Sequence, residues 1–282
     1  MKNLNQPIVS VIVAVLDAAK TLERCIHSFA KQTYLNKELI IIDGGSKDGS
    51  IELLKANQNI ISHWISESDN GVYSAWNKGL SHANGEWICF VGADDYFWDE
   101  YVLERMAAEL IIVHEDIRVV YGKIMLLNAK GDPLYLIGEP WIDVKERFKQ
   151  LMSIPHPCLM HRRSLFQQHG VFDESFRIGG DYELLLRELK FSDAIFIPNM
   201  ISIGMRQGGL SSTPSNALRS IMEARRAQKM HGFLIPGMFW ILAIVRIYLR
   251  MLLWRTIGER RANIFLDLAR KTYGLPAFWS KL

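Results

Sequence analysis

The chain predicts an α/β fold: a central sheet flanked by helices, followed by a C-terminal helical tail. Three observations carry this. Short β-branched runs alternate with segments of helical periodicity across the first part of the chain, the pattern of a doubly wound sheet. Two of those runs end in acids, at Asp43 and at Asp94-Asp95. Past Asn216 the strands stop, and a basic and then an apolar helical pattern takes over.

Ile8 to Val15, a β-branched run after Pro7, is the first expected strand. Asp17 to Lys31 follows, with Leu22, Ile26, Phe29 and Ala30 at helical spacing. Leu39 to Ile42 is a second strand, and the turn Gly44-Gly45-Ser46-Lys47-Asp48-Gly49 leads into a helix from Ser50 to Ala56. Ile61 to Ser66 is a third strand. After the polar stretch Glu67 to Tyr73, a helix is expected from Ser74 to His82, with Ala75, Trp76 and Leu80 inward. The run Trp87 to Val91 has strand length and composition and delivers Asp94-Asp95. Next come a helix from Asp99 to Glu115, a strand from Arg118 to Gly122, a hairpin or meander over Ile124 to Leu136, and a helix from Val144 to Met152. The loop Pro155-His156-Pro157 precedes the apolar run Cys158 to Met160. A helix from Arg162 to His169 is stopped by Gly170. Gly179-Gly180-Asp181 opens a helix to Lys190, with Asp181 at its N-cap, where backbone N–H groups favour a carboxylate. Ile195 to Ile203 is the last strand, interrupted by Pro198. Gly208-Gly209-Leu210-Ser211-Ser212 is a loop that could be a lid or an ordinary turn, and Asn216 to His231 is a basic helix.

Composition narrows the function. With 282 residues, 49% of them hydrophobic and 22% charged, the chain can bury a full core. A formal net charge of +3 is too small to imply nucleic acid. Three scattered cysteines, Cys25, Cys89 and Cys158, lack metal spacing and indicate a reducing compartment. No signal peptide is visible, so a cytoplasmic location is expected. The Gly-rich turn does not read G-x-G-x-x-G, which argues against a dinucleotide site, and no Gly-Lys-Ser/Thr is present for a P-loop.

The acidic pair is the informative feature. In α/β proteins the carboxyl ends of strands face the ligand crevice. Adjacent carboxylates there repel unless a cation or a proton intervenes. Mg²⁺ needs only one or two protein carboxylates when phosphate oxygens complete its shell. Plainer roles stay open: Asp94 could cap a helix, Asp43 and Asp48 could be turn formers, Asp181 could be only a cap, and His156 could be a core histidine or an acceptor contact.

The stretches Val9-Ser10-Val11-Ile12-Val13, Gln32-Thr33-Tyr34, Ile41-Ile42-Asp43-Gly44-Gly45-Ser46-Lys47-Asp48-Gly49, Asn77-Lys78-Gly79 and Asp94-Asp95, in this order and spacing, resemble the family 2 glycosyltransferases. The resemblance covers about residues 7 to 212. The wording Trp64-Ile65-Ser66-Glu67-Ser68-Asp69-Asn70-Gly71-Val72-Tyr73 is similar to bacterial envelope-polysaccharide transferases, including those of colanic-acid type. The resemblance implies the GT-A fold, a Rossmann-like mixed sheet flanked by helices. It also implies a nucleotide-sugar donor, with UDP favoured, a Mg²⁺ or Mn²⁺ ion, and a saccharide or lipid-linked acceptor. Val13, Ala14, Val15, Asp17, Asp43, Gly44, Asp69, Asn77 and Asp94 would contact the donor. Asp95, with Asp94, would hold the metal, and Asp181 would be the catalytic base. This chain differs from the family's usual pattern in having Ala14-Val15-Leu16-Asp17 for Pro-Thr-Tyr-Asn, Ala93 for a frequent Ser, and Gly180 for the Glu before the base. With a single candidate base and no second nucleophilic carboxylate, single displacement with inversion is the simpler mechanism. The competing reading is a catalytically inactive sugar-nucleotide-binding or scaffold protein.

The expected organisation is a catalytic domain over 1–215 and a helical region over 216–282. Within the latter, Phe233 to Trp254 is largely apolar but contains Arg246 and Arg250 on one helical face. Arginines at a bilayer centre cost roughly 2.5–3.5 kcal/mol each. An interfacial amphipathic helix is therefore expected, or one packed on the catalytic domain, rather than a span. Peripheral contact with the inner face of the cytoplasmic membrane follows as an expectation.

Overall fold

A computed structural model describes residues 6–272 except 129 and 208–213. The first half runs β1 (Val9–Val15), α1 (Ala19–Ala30), β2 (Lys37–Asp43), α2 (Ser50–Ala56), β3 (His63–Ser66), α3 (Val72–His82) and β4 (Trp87–Gly92). Then follow β5 (Tyr96–Phe97), α4 (Val102–Ile112), β6 (Val119–Leu127), β7 (Pro133–Ile137), α5 (Trp141–Phe148), β8 (Met160–Arg162), α6 (Arg163–His169), α7 (Gly180–Leu189) and β9 (Ile195–Arg206). The tail is α8 (Pro214–Met230), α9 (Met238–Ile257) and α10 (Glu259–Thr272).

The strands make one sheet in the order β3-β2-β1-β4-β8-β6-β9-β5, with β7 paired to β6. β3, β2, β1 and β4 are parallel, β8 is antiparallel to β4 and β6, and β9 is parallel to β6. The sheet is therefore mixed. β1, β4 and residues 39–42 of β2 are largely apolar because both faces are covered there. Val9, Val11, Val13 and Val15 of β1 pack with α1 and α4, while Ile12 joins Ile40, Ile42, Ile88 and Phe90 on the face covered by α3 and α5–α7. Burying each such side chain contributes about 1.5–3 kcal/mol. That exceeds the roughly 1 kcal/mol spread of strand propensities, so burial sets the register. α3 lies close on β1 because Gly79 has no side chain; a Cβ there would stand 2.5 Å from Ile12 Cγ2.

Several boundaries differ from expectation. Residues 119–127 form the single strand β6 rather than a strand followed by a hairpin, and β7 is its antiparallel partner. Gly122 permits this: a Cβ would lie 2.9 Å from Met200 O. β9 runs through Pro198, but its register with β6 shifts between Tyr121 and Lys123, as a residue without an N–H requires. Asp181 is not the N-cap of α7. Gly179 holds that position, and Asp181 lies inside the first turn. The loop Gly208 to Ser212 lies outside the described residues. All three cysteines are buried free thiols.

The tail helices pack in sequence. Trp240 Nε1 donates to Ile221 O at 2.9 Å, and Trp254 Nε1 donates to Asn263 Oδ1 at 3.1 Å. Arg250 does not share an exposed face with Arg246: it is buried, its guanidinium 4.7 Å from the Trp254 ring centre. Nor is α9 amphipathic. Its apolar residues lie all round, and Met238, Ile241, Leu242, Val245, Leu249 and Leu252 are exposed. Among the described residues, no helix is long and apolar enough to cross a membrane.

Candidate active site

Because β1 to β4 are parallel, Val15, Asp43, Ser66 and Gly92 end at one edge of the sheet. The loops leaving those ends build the site. Asp17, at φ 49°, donates its N–H to Ser46 Oγ at 2.8 Å and accepts Lys47 N–H at 2.9 Å. Asp43 is wholly buried. Its carboxylate accepts Gly45 N–H and Ser46 N–H at 3.1 Å each, the Ser66 hydroxyl at 2.7 Å and the Ser46 hydroxyl. Asp48 accepts Ala19 N–H at 2.8 Å and the Ser50 hydroxyl at 2.7 Å. These three acids knit the floor of the loops. Gly44 lets Asp69 lie over it, since a Cβ at Gly44 would meet Asp69 Oδ2 at 2.9 Å.

A cavity of about 350 Å³ opens above this floor, lined by Ala14, Val15, Leu16, Asp69, Gly71, Val72, Ala75, Arg177, Ile178, Asn216 and Arg219. Of the residues expected to contact the donor, Ala14, Val15 and Asp69 line it. Val13 is buried in the core beneath. Asn77 faces elsewhere: its amide bonds Phe172 O and Glu174 Oε1 at 2.9 Å and accepts Phe172 N–H at 3.0 Å, tying α3 to the following loop.

The acidic pair follows β4. Asp95 is buried and Asp94 half-buried. Both carboxylates fold back over Gly92, where a Cβ would meet Asp94 Oδ1 and Asp95 Oδ2 at 2.8 Å each. Burial, and then the charge of Asp94, push the Asp95 carboxyl up to about 8. Arg206 N–H donates weakly to Asp95 at 3.4 Å. Two crowded oxygens from adjacent carboxylates, one driven toward its proton, are a donor set that suits a hard divalent cation. Among the described residues no cluster of three or more His, Cys, Asp or Glu side chains could hold a metal, so phosphate oxygens or water would complete the shell.

Asp181 lies on the lining of a second cavity, about 460 Å³, with Ile124, Arg147, Ser153, His156 and Met205 among its other residues. Burial pushes its carboxyl up to about 6, against hydrogen bonds from Tyr182 N–H at 2.8 Å and the Tyr73 hydroxyl at 3.3 Å. The single Tyr73 hydroxyl proton goes chiefly to Ile178 O, so its approach to Asp181 is the weaker contact. Gly180 makes room for this ring, since a Cβ there would be 2.8 Å from Tyr73 Cε2. The two cavities are thus three residues apart along one turn, with Ile178 in the first and Asp181 in the second. His156 stacks on Trp76 at 5.2 Å and Phe90 at 5.8 Å. Burial lowers it to about 3, so it is a neutral core ring at the cavity edge.

Nothing local in the sequence marks Arg177, Arg219 or Glu223 as site residues, and Tyr73 appears there without a role. Only Tyr73 carried a signal, as the end of the Asn70-Gly71-Val72-Tyr73 wording. A larger cavity of about 840 Å³ lies at the other end of the sheet, around Ile8, Glu86, Arg118 and Arg162. Its guanidiniums already serve the chain, with Arg163 donating to Gly85 O at 2.8 Å and Arg118 to Glu188 at 3.0 Å, and the strand that ends there, at Arg162, is the antiparallel β8 rather than one of the parallel strands β1 to β4.

The model of the glycosyl transferase family 2 matches residues 10–170. A PGL/p-HBAD biosynthesis glycosyltransferase of Mycobacterium bovis is 30% identical over 216 residues, which cover 73% of this chain and 80% of the relative. An uncharacterised glycosyltransferase of Rickettsia typhi is 29% identical over 69% of this chain and 63% of its own. Among solved structures, residues 1–349 of S. aureus TarS in complex with UDP-GlcNAc superpose with a TM-score of 0.62 at 18% identity, covering 78% of this chain and 66% of that one. The chain spans 39% of the longer TarS chain. The mannosyltransferase PcManGT of Pyrobaculum calidifontis, in complex with GDP-Man and Mn²⁺, gives 0.61 at 16% identity, covering 95% and 80%. The mixed sheet with helices on both faces is the GT-A fold of these structures, and the chain belongs to glycosyl transferase family 2.

Proposed function

We propose that this glycosyltransferase moves a sugar from a nucleoside-diphosphate donor, with UDP favoured, to a hydroxyl of a saccharide or lipid-linked acceptor in envelope polysaccharide synthesis. The reaction is metal-dependent and inverts the anomeric centre. The observation that carries the reading is Asp181: one half-buried carboxyl, raised to about 6, on a cavity separate from the acidic pair. A base must sit across the sugar ring from the leaving group, and a proton affinity near neutrality suits the task. In this reading Ala14, Val15 and Asp69, with Asp17, Asp43 and Gly44 shaping the loops beneath, bind the nucleoside. Arg177 and Arg219 face the diphosphate. Asp94 and Asp95 would hold Mg²⁺ or Mn²⁺, which supplies charge neutralisation at the leaving diphosphate. Mn²⁺ accompanies the nucleotide sugar in PcManGT. Asp181 takes the acceptor hydroxyl's proton as that oxygen attacks the anomeric carbon. The catalytic unit is 1–215, and α8, which begins at that boundary, walls the donor cleft with Asn216 and Arg219.

Purified protein should be offered a panel of UDP- and GDP-sugars with Mn²⁺ or Mg²⁺ and lipid-linked or free saccharide acceptors. Metal-dependent consumption of one donor, with product of opposite anomeric configuration by NMR, is expected. Nucleotide binding without turnover of any donor, even by hydrolysis, would instead identify an inactive binder.

The exposed apolar surface of α9 and α10 belongs, in this reading, against the inner face of the cytoplasmic membrane. Arg246, Arg255, Arg260 and Arg261 are exposed beside it, and anionic headgroups attract such residues by roughly 1 kcal/mol each. Arg246→Glu with Arg255→Glu is expected to weaken flotation with anionic liposomes several-fold, as should high salt. Intact protein that stays in the supernatant with anionic liposomes at low salt would remove the membrane contact.

A further inference from the structure

The N-terminus of α7 has no cap of its own, because Gly179 holds the cap position. A carboxylate from a different helix occupies it. Glu223 of α8 accepts Gly179 N–H at 2.8 Å, Ile178 N–H at 2.9 Å and Arg177 N–H at 3.1 Å. Three convergent backbone donors at a helix N-terminus favour an anion strongly. The same turn carries two groups at work in the site. Arg177 lines the donor cavity and donates from Nη1 to Asn70 O beside α3. Ile178 O receives the Tyr73 hydroxyl that also reaches Asp181. Arg226, one helical turn along α8 from Glu223, braces the preceding loop with its guanidinium 4.2 Å from the Phe176 ring centre.

We propose that Glu223 is a positioning residue for the transfer reaction, holding the 177–179 turn so that Arg177 faces the donor and Asp181 faces the acceptor. This rests on the assignment of Asp181 as base. It makes α8 a working part of the site. Glu223 touches neither substrate; it acts through the turn. Its charge also disfavours ionisation of Asp181. The other groups facing Asp181 are Tyr73 from α3, Tyr182 N–H on α7, and Glu139, Arg147 and His156 around the cavity.

The test compares wild type, Glu223→Ala and Glu223→Gln. Glu223→Ala should lower kcat about tenfold or more, the scale of a small misplacement of reacting groups. Glu223→Gln keeps an acceptor oxygen and should lie between. In both, the acid limb of the kcat/KM profile should move to lower pH because a negative charge near Asp181 is gone, and UDP or GDP should bind more weakly through Arg177. A role in folding alone would lower the melting temperature and leave the pH limb in place. If Glu223→Ala does not fold, Glu223→Gln decides. kcat within twofold of wild type with an unmoved limb and unchanged nucleotide affinity overturns the proposal. An Asp181→Asn control at full turnover would sink the base assignment instead, and nucleotide affinity alone would then decide for or against Glu223.

Discussion

Asp95→Ala is expected to reduce sugar transfer by about 10² to 10³ or more, since the group it would help hold is worth several kcal/mol at the developing diphosphate. Asp95 is the more buried member of the pair, and burial with the neighbouring charge raises its proton affinity. Crowding against Asp94 beneath Gly92 disfavours both charges together, and a divalent cation relieves that cost. Wild type in excess EDTA should lose activity to the same extent and recover when Mn²⁺ or Mg²⁺ is restored. Mn²⁺ binding followed by electron paramagnetic resonance in the presence of UDP gives a readout independent of turnover: wild type should show bound ion and Asp95→Ala little. Full activity in EDTA, or an Asp95→Ala enzyme as active as wild type, would remove the metal from the mechanism.

Asp181→Asn should retain donor binding and lose turnover by about 10² or more, the scale of general-base removal. The pH profile supplies a second check with a definite sign. A base works only when ionised, and burial raises this carboxyl to about 6. Rate should therefore fall as pH drops through about 6 and level off above it, and the limb should be missing from the residual activity of Asp181→Asn. Turnover within a few-fold of wild type would reduce Asp181 to a structural residue of the α7 first turn.

The parallel half of the sheet was legible because burial on both faces writes itself as unbroken apolar runs, as in Ile40-Ile41-Ile42 and Trp87 to Val91. The acidic pair was legible because two adjacent carboxylates at a strand end repel unless a cation or a proton intervenes. Asp181 is read onto the right helix but two positions out, because two glycines before an acid read as a loop opening into a cap. Here they are tight-packing positions. What the sequence hid was long-range. Glu223 meets the 177–179 turn across more than 40 residues of chain, and nothing local marks it. Arg177 and Arg219 read as surface cations until the fold brings them to one cavity. Arg246 and Arg250, four apart, suggested one charged face, but Trp254 takes up Arg250 and leaves Arg246 alone.

Tyr73 and Gly180 have an evolutionary corollary. With a Cβ at 180 only 2.8 Å from the ring, even alanine would overpack by about 1–3 kcal/mol. The two positions form a single heritable character. A lineage carrying the family's more usual Glu at 180 must first shrink or displace the ring at 73, and a lineage keeping the ring is confined to glycine. Homologues should therefore divide into two stable pairings, with the mixed combinations depleted, and a chimera that swaps one position without the other would carry a strain that neither parent has.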